Sequence, residues 1–466
     1  MLLRGGFFMS AVSFLISVLT DYILPVFLPG AGIYLTLKSR FVQIRCFKES
    51  IKNTFGSLFS KRDKNKISPF ASLMTSLAAQ LGTGNIVGAG SAIITGGPGA
   101  IFWMWVSAFF GMAVAYYEAV LAQKTKKLLS DGTVTGGAAY YIREAFDGKK
   151  GKILSLAFSF FASVALGLTG AAVQSNSIAV SLKEAFGIPG VLSGILITLA
   201  AAFVILKGTK AVTRLSERLV PVMGLLYIFM CIAVITVNRD KVLESVGLIF
   251  KGAFSPDSLF GGITGITLKT AVSQGVKRGL FTNEAGMGST ASAHALSDAP
   301  SPHFQGTLGM AGVFIDTFLM LGITAVAIIS VLYTGEQPPD SSLSGSLAVV
   351  LTFSRITSER WASAFVAVSV LLFAFASILG WNLSGCSSAA FLFGEKSKRL
   401  YLLSSLMFVF IGCIIPAPVI WHITDIFNAM MVLTNVPAVI KIGGDPENTE
   451  LIYKSDKNFQ KAKISP

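Results

Sequence analysis

The sequence predicts an all-α polytopic membrane protein of about eleven transmembrane helices. One extra helix at the N-terminal end precedes two groups of five, the second inverted relative to the first, and each group opens on a broken helix. Three observations lead there. The 466 residues are 53% hydrophobic and only 13% charged, against about 25% charged in a soluble domain, and the mean hydropathy is +0.68. Long apolar segments recur along the whole chain. Two of them are interrupted near the middle by glycine-rich polar text, at corresponding places in the two halves.

A bilayer core takes about 20 apolar residues per helix. The first apolar region, 9–37, is kinked or divided at Asp21 and Pro25. Arg4 precedes it in the manner of a signal peptide, yet no small-residue cleavage site is clear, so the segment reads as retained. A loop from Lys38 to Lys66 follows and holds nine Lys and Arg. Helices are then expected over 68–95 (broken), 98–123, 153–181, 187–206 and 215–237. A second set is expected over 264–298 (broken), 306–333, 361–393, 399–414 and 416–436. The organisation reads as 1–66 for the extra helix and basic loop, 67–240 and 241–438 for the two five-helix units, and 439–466 for a tail.

Charge orients these spans. Thirty-eight Lys and Arg stand against 24 Asp and Glu, a net +14. The bases cluster in alternate loops, which is a topology signal and speaks against a nucleic-acid partner. With Lys38–Lys66 inside, the inside loops also carry Lys124, Lys126, Lys127, Arg143, Lys149, Lys150 and Lys152, then Lys207, Lys210, Arg214 and Arg218, then Lys396, Lys398 and Arg399. The outside segments hold few. The expectation is a cell (inner) membrane protein with its N-terminus outside and its C-terminus cytoplasmic. Five spans per group, an odd number, turn the second group upside down.

The interruptions are where function is expected. LAAQLGTGNIVGAGSAIITGGPGA, Leu77 to Ala100, gathers Gln80, Gly82, Thr83, Gly84 and Asn85 at membrane depth. In lipid every backbone polar group needs a partner, so a helix-weakening cluster survives only against protein or a wet cavity. GLFTNEAGMGSTASAHA, Gly279 to Ala295, repeats the idea. Two such breaks in matching places point to a transporter site at the midplane. A GxxxG helix interface at Gly84–Gly88 is the plainer reading of the first, and both can hold. GTGNIVG also imitates a dinucleotide loop, but no strand precedes it.

Other chemistry is thinly represented. Cys46, Cys231, Cys386 and Cys413 lack metal or redox spacing, the three histidines (His294, His303 and His422) are scattered, and His294 and His303 have no metal-ligand companion, so neither is assigned to a metal or to catalysis. Without HExxH or GxSxG, a membrane enzyme is not expected. A passive channel or a non-transporting sensor on the same fold remains an alternative.

The text TSLAAQLGTGNIVGAGSAIITGGPGAIFWMWVSAFFGMAVAYYEAVLAQK and RGLFTNEAGMGSTASAHA, with HFQGTLGMAGVFIDT, FAFASILGW and DIFNAMM, resembles the alanine or glycine:cation symporter family over most of residues 25–440. That resemblance implies a leucine-transporter-type fold and sodium-coupled symport of small neutral amino acids, alanine or glycine, with sodium as the coupling ion and no other cofactor. Proton-coupled or uncoupled transport of another small amino acid or amine stays open beside it.

The resemblance also implies site residues. Thr83, Gly84 and Asn85 match the first-helix substrate residues, with the Asn85 amide and the positive end of a half-helix turned to the substrate carboxylate. Gln174 matches a substrate contact, or else serves as glue between helices. Phe281, Thr282, Asn283 and Gly286 would form a wall and offer carbonyls to the amine. Trp381, one helical turn after Ser377, would bound the pocket, with core packing as its plain reading. Gln80, Gly82 and Ser377 are the expected cation contacts, by fold analogy. Arg278 and Glu284 are expected as structural or gating partners, and Glu118, Asp316 and Asp425 are lone acids in apolar spans that pair, pack or carry a proton. NLSGCSSAAFLFG after Trp381 departs from the aromatic and charged segment (YYGER-like) usual in the family, and bears on selectivity.

Overall fold

The computed structural model describes residues 18–59, 66–129, 132–254, 267–335, 339–340 and 342–443. Expectations for 9–17, for the loop bases Lys61, Arg62 and Lys64, and for the tail lysines after Gly443 lie outside these.

Among the described residues almost everything is helix. A π turn, Val18–Ile23, leads into α1 (Leu24–Lys38), and α2 (Phe47–Leu58) follows. The first broken helix is α3 (Pro69–Gln80) and α4 (Val87–Gly96), joined by a 3-10 turn over Thr83–Asn85. Next come α5 (Gly99–Lys124), a two-stranded hairpin, and the short α6 (Ala138–Ala145). The unit closes with α7 (Gly148–Phe186), α8 (Gly190–Ile205) and α9 (Thr209–Val237). After α10 (Val242–Phe254) a second broken helix consists of α11 (Leu268–Asn283) and α12 (Ala291–Ala295). Then follow α13 (Pro302–Leu332), the short α14 (Gly345–Ser354), α15 (Glu359–Phe393), α16 (Ser397–Gly412) and α17 (Ala417–Gly443).

Six of these helices are long and apolar enough to cross a membrane: α5, α7, α9, α13, α15 and, from Ile420, α17. Four shorter helices, α1, α4, α8 and α14, are apolar as well. Among the described residues the expected spans fall mainly on helices, interrupted at the two breaks. A reading tuned to 20-residue apolar runs did not anticipate α2, α6, α10 and α14, which are too short to cross and lie between the long elements.

Burial sorts the helices into inner and outer. Helix α5 packs against both α11 and α13, and α7 against α15. Tyr116, Tyr117 and Glu118 on α5 are wholly or almost wholly buried. By contrast α8 and α9 present Leu196, Leu199, Phe203, Leu225 and Phe229 outward. A ring of large exposed apolar side chains suits hydrocarbon and not water.

Local chemistry explains both breaks. Helix α3 starts on Ser68, whose hydroxyl accepts from the Ala71 N–H, with Pro69 in the first turn. It stops where Gly82 turns extended (φ −101°, ψ −153°). Helix α11 ends on Glu284 in the left-handed region (φ 56°), followed by Gly286 (φ +88°) and Gly288 (φ +71°). Two glycines take such angles without strain. A non-glycine residue there is uncommon, and such outliers collect at ligand clamps and switch regions.

The second break is tied down by Asn435 of α17. Its Nδ2 donates to Glu118 Oε1 (2.5 Å) and to the Gly286 carbonyl (2.9 Å), and its Oδ1 accepts from the Tyr141 hydroxyl (2.6 Å). Glu118 Oε1 also accepts from the Gly288 N–H at 3.0 Å. Asn435→Ala strands several buried polar groups at once, each costing about 1–3 kcal/mol. The expected result is a melting temperature several degrees lower in detergent-solubilised protein. An unchanged melting temperature would count against this knot as a structural tie.

Candidate functional site

The two breaks meet. A Cβ placed on Gly84 would lie 2.9 Å from Thr282 Oγ1, so any larger residue would have to push the two breaks apart. Gln80 Nε2 donates to the Asn283 carbonyl at 2.8 Å, a second link from one break to the other. Gln174 comes in from α7, where its Oε1 accepts from the Thr83 N–H at 3.4 Å.

Beside this contact lies a cavity of about 350 Å³. Thr83, Gly84 and Thr282 are buried at its floor, while Val87, Ser91, Ser177 and Phe281 are half-buried in its walls. Arg278 and Asp425 also line it and attract one another. The first turn of α4 and the last turn of α11 both border the cavity. One end presents unpaired N–H groups and the other unpaired carbonyls, so the space lies between a positive and a negative helix end.

Directly behind the first break sits an acid. Asp316 belongs to a π turn, Phe314–Leu321, inside α13. Such turns free backbone groups and re-aim side chains, and they are frequent at functional sites. Asn85 Nδ2 donates to Asp316 Oδ1 (2.9 Å) and to the Asp316 carbonyl (3.0 Å), and the Thr317 hydroxyl donates to Asp316 Oδ2 (2.8 Å). Asn85 Oδ1 is buried with no hydrogen-bond partner, and so is Gln80 Oε1. Buried amide oxygens normally find a donor. An oxygen without one is available to a cation.

A second group of oxygens lies on the other side of the break. The Ser377 hydroxyl, on α15, donates to the carbonyls of Ala78 (2.9 Å) and Ala79 (3.2 Å), where α3 is ending. Gly82 closes the group, since a Cβ there would be 2.7 Å from Ser377 Oγ and 2.9 Å from Gln174 Nε2.

The expected site residues therefore fall into three places. Thr83, Gly84, Phe281 and Thr282 border the cavity, with Gln174 and Asn283 touching its floor from behind. Gln80, Gly82 and Ser377 gather at the end of α3. Asn85 does not border the cavity, because its amide is committed to Asp316.

Trp381 stands one layer back. Its Nε1 donates to Glu284 Oε1 (2.5 Å), and its ring lies 6.3 Å from that of Phe281, which also meets Trp421 at 5.1 Å. Gly286 is turned away from the cavity, towards Leu28 and Val436. Arg278 and Glu284 do not pair. Arg278 feels Asp425, whereas Glu284 accepts from Trp381 and from the Ser289 hydroxyl. Sequence reasoning passed over Ser177 and Trp421. Ser177 was within reach, being one turn beyond Gln174 on the same helix face. Trp421 carried no sequence signal of its own.

Comparison with known proteins identifies the family. The family model described as "Sodium:alanine symporter family" matches residues 6–464. The chain is 35% identical over 420 residues to the sodium/alanine symporter AgcS of Methanococcus maripaludis, covering 90% of this chain and 91% of that protein. It is 34% identical over 446 residues to the probable sodium/glutamine symporter GlnT of Bacillus subtilis, covering 95% and 88%. Among solved structures it resembles MhsT in complex with L-phenylalanine, with a TM-score of 0.59, 14% identity, and coverage of 85% of this chain and 100% of that one. At that identity the likeness speaks for the fold alone.

Proposed function

Because this chain belongs to the sodium:alanine symporter family, we propose that it brings small neutral amino acids, alanine or glycine, into the cell together with sodium by alternating access. It is a multi-pass membrane transporter and not an enzyme. The observation that carries the finer reading is the contact of two broken helices over a cavity, with a buried carboxyl group immediately behind.

The element order supports eleven spans in a leucine-transporter-type arrangement. After α1, the succession of broken helix, long helix, short helix, long helix, shorter span and long helix occurs once from α3 to α9 and again from α11 to α17. Five spans per unit invert the second. With the N-terminus outside and the C-terminus cytoplasmic, as the basic loops require, the cavity opens to the outside.

A zwitterion fits between the helix ends. Its carboxylate takes the first turn of α4 beside Thr83 and Gly84, and its ammonium group takes the carbonyl end of α11 at Phe281 and Thr282. The Gln174 amide fixes the floor. Phe281, backed by Trp381, limits the side chain, which favours alanine or glycine over the glutamine for which one relative is named. Gly286 contributes by letting the second break turn. Arg278 and Asp425 stand at the mouth as a charged pair suited to closing it.

Sodium wants hard oxygen ligands. Asp316 with the orphaned Asn85 Oδ1 suits one ion. The Ala78 and Ala79 carbonyls, the Ser377 hydroxyl and the orphaned Gln80 Oε1 suit a second position beside Gly82. Occupying the first ties the α3–α4 break to α13, so ion binding orders the floor that the amino acid needs. That is how the two bindings become coupled.

Uptake of labelled alanine and glycine into proteoliposomes tests this reading. Accumulation is expected under an inward sodium gradient and not without one. Accumulation driven by a proton gradient alone would move the coupling to a carboxyl group such as Asp316, Glu284 or Glu118. Equilibration indifferent to every gradient would overturn symport.

A further inference from the structure

We propose that Cys46, Glu49 and His303 form a binding site for a borderline transition-metal ion of the zinc class, where α2 docks on the first turn of α13.

The three residues come together only through the fold. Cys46 is the N-cap of α2 and Glu49 lies three residues later on the same face, while His303 is in the first turn of α13. Their donor atoms all lie within 4.8 Å of one another. A tetrahedral zinc ion with bonds of about 2.0–2.3 Å keeps its donors roughly 3.4–3.8 Å apart, so the trio needs only a small contraction. Thiolate, imidazole and carboxylate are the ligand types zinc takes, and sulfur with nitrogen disfavours sodium, calcium or magnesium.

The surroundings match those of metal-bound imidazoles. The Tyr116 hydroxyl lies 2.6 Å from His303 Nδ1, and Nε2 points at Glu49 Oε2 at 3.4 Å. When Nδ1–H donates to the tyrosine oxygen, the Nε2 lone pair faces the space between Glu49 and Cys46. An outer partner of this kind fixes ring orientation and tautomer. His303 and Cys46 are buried, and the Glu49 side chain is 34% exposed. Three protein ligands thus leave the fourth position on the open side, where water supplies it.

Binding releases the Cys46 thiol proton to solvent. A dication on one thiolate and one carboxylate is then charge-balanced.

The frame is already built. The Ser50 hydroxyl donates to the Thr307 carbonyl (2.6 Å), and Asn53 Nδ2 donates to Thr307 Oγ1 (2.9 Å), so α2 is clamped to α13 with or without the ion. The site is apart from the cavity between the breaks. It sits on the helix that carries Asp316, so an ion here braces that helix against α2 and slows its movement during transport.

The test is metal titration of the purified full-length protein in detergent after chelator treatment. Zinc is followed by calorimetry, and cobalt(II) by its thiolate-to-metal charge-transfer absorption. One ion per chain and a thiolate band are expected, with both lost in Cys46→Ala and in His303→Gln. Glu49→Gln, at a partly exposed position that should not disturb folding, weakens binding. Tyr116→Phe keeps all three ligands and lowers affinity by about 10- to 100-fold. Absence of stoichiometric binding in the unaltered protein overturns the proposal. So does a thiolate band that survives in Cys46→Ala, which would put the ion on another cysteine. Cobalt bound with no thiolate band would also overturn it and leave only the Glu49–His303 ion pair.

Discussion

Asp316→Ala is expected to abolish sodium-driven accumulation of alanine while leaving a protein that still folds. The carboxyl group sits in a π turn of α13 and holds Asn85, the last residue of the first helix break, through the 2.9 Å bond from Asn85 Nδ2. Removing one partner of a buried charged contact costs about 3–5 kcal/mol, and each 1.4 kcal/mol is about tenfold in affinity. Apparent sodium affinity should therefore fall by roughly 100-fold or more. Asp316→Asn is the informative companion. It can keep the geometry around Asn85 but takes away the charge, so the sodium concentration for half-maximal uptake should rise while the melting temperature changes little. If Asp316→Asn keeps the original sodium dependence, the ion does not bind there. Asn85→Ala should follow the same pattern, because it removes the orphaned Oδ1 and the tether together.

Gly84→Val is expected to weaken substrate binding strongly by filling the point where the two breaks touch. A single added Cβ would already lie 2.9 Å from Thr282 Oγ1 and 3.5 Å from the Thr282 Cα. Thr282 cannot swing aside freely, since its hydroxyl donates to the Arg278 carbonyl at 2.8 Å within α11. Overpacking a tight contact costs about 1–3 kcal/mol, which corresponds to roughly 5- to 150-fold in affinity. The two further methyl groups of valine also take up room at the cavity floor. Gly84→Ala should lie between the original protein and Gly84→Val. Equilibrium binding of labelled alanine to the detergent-solubilised variants measures this series. Undiminished binding by Gly84→Val would mean that the substrate lies elsewhere and that the glycine serves helix packing alone.

These two substitutions probe different kinds of information. Gly84 was legible in the sequence, because glycine clustered with small polar residues inside an apolar run is a local pattern with a local meaning. The same holds for the helices, whose apolar runs over α5, α7, α9, α13 and α15 follow from hydropathy and length. It holds too for the second break, where Gly286 and Gly288 take the positive φ angles that glycine permits. Short helices such as α2 and α14 were missed for the converse reason. A ten- or twelve-residue helix is not distinguished by a criterion that looks for spans.

Partnership was not legible. Asp316 stood out as an acid in an apolar span, yet nothing in the text said that it would hold Asn85, which is 231 residues away. Glu284 and Arg278 looked like natural partners six residues apart, but the chain turns left-handed at Glu284 and sends its carboxyl group to Trp381 on α15. Asn85 was expected to face the amino acid and instead faces α13, because the 3-10 turn at Thr83–Asn85 rotates it out of line with Gly84. His303 had no ligand-like neighbour in sequence, and the docking of α2 provides two. Hydropathy and backbone freedom, which act residue by residue, already marked the long apolar helices and the two places where helices break. Which oxygens, carboxyl groups and rings share a site was decided only when the helices packed, since hydropathy does not record which faces of distant helices will meet.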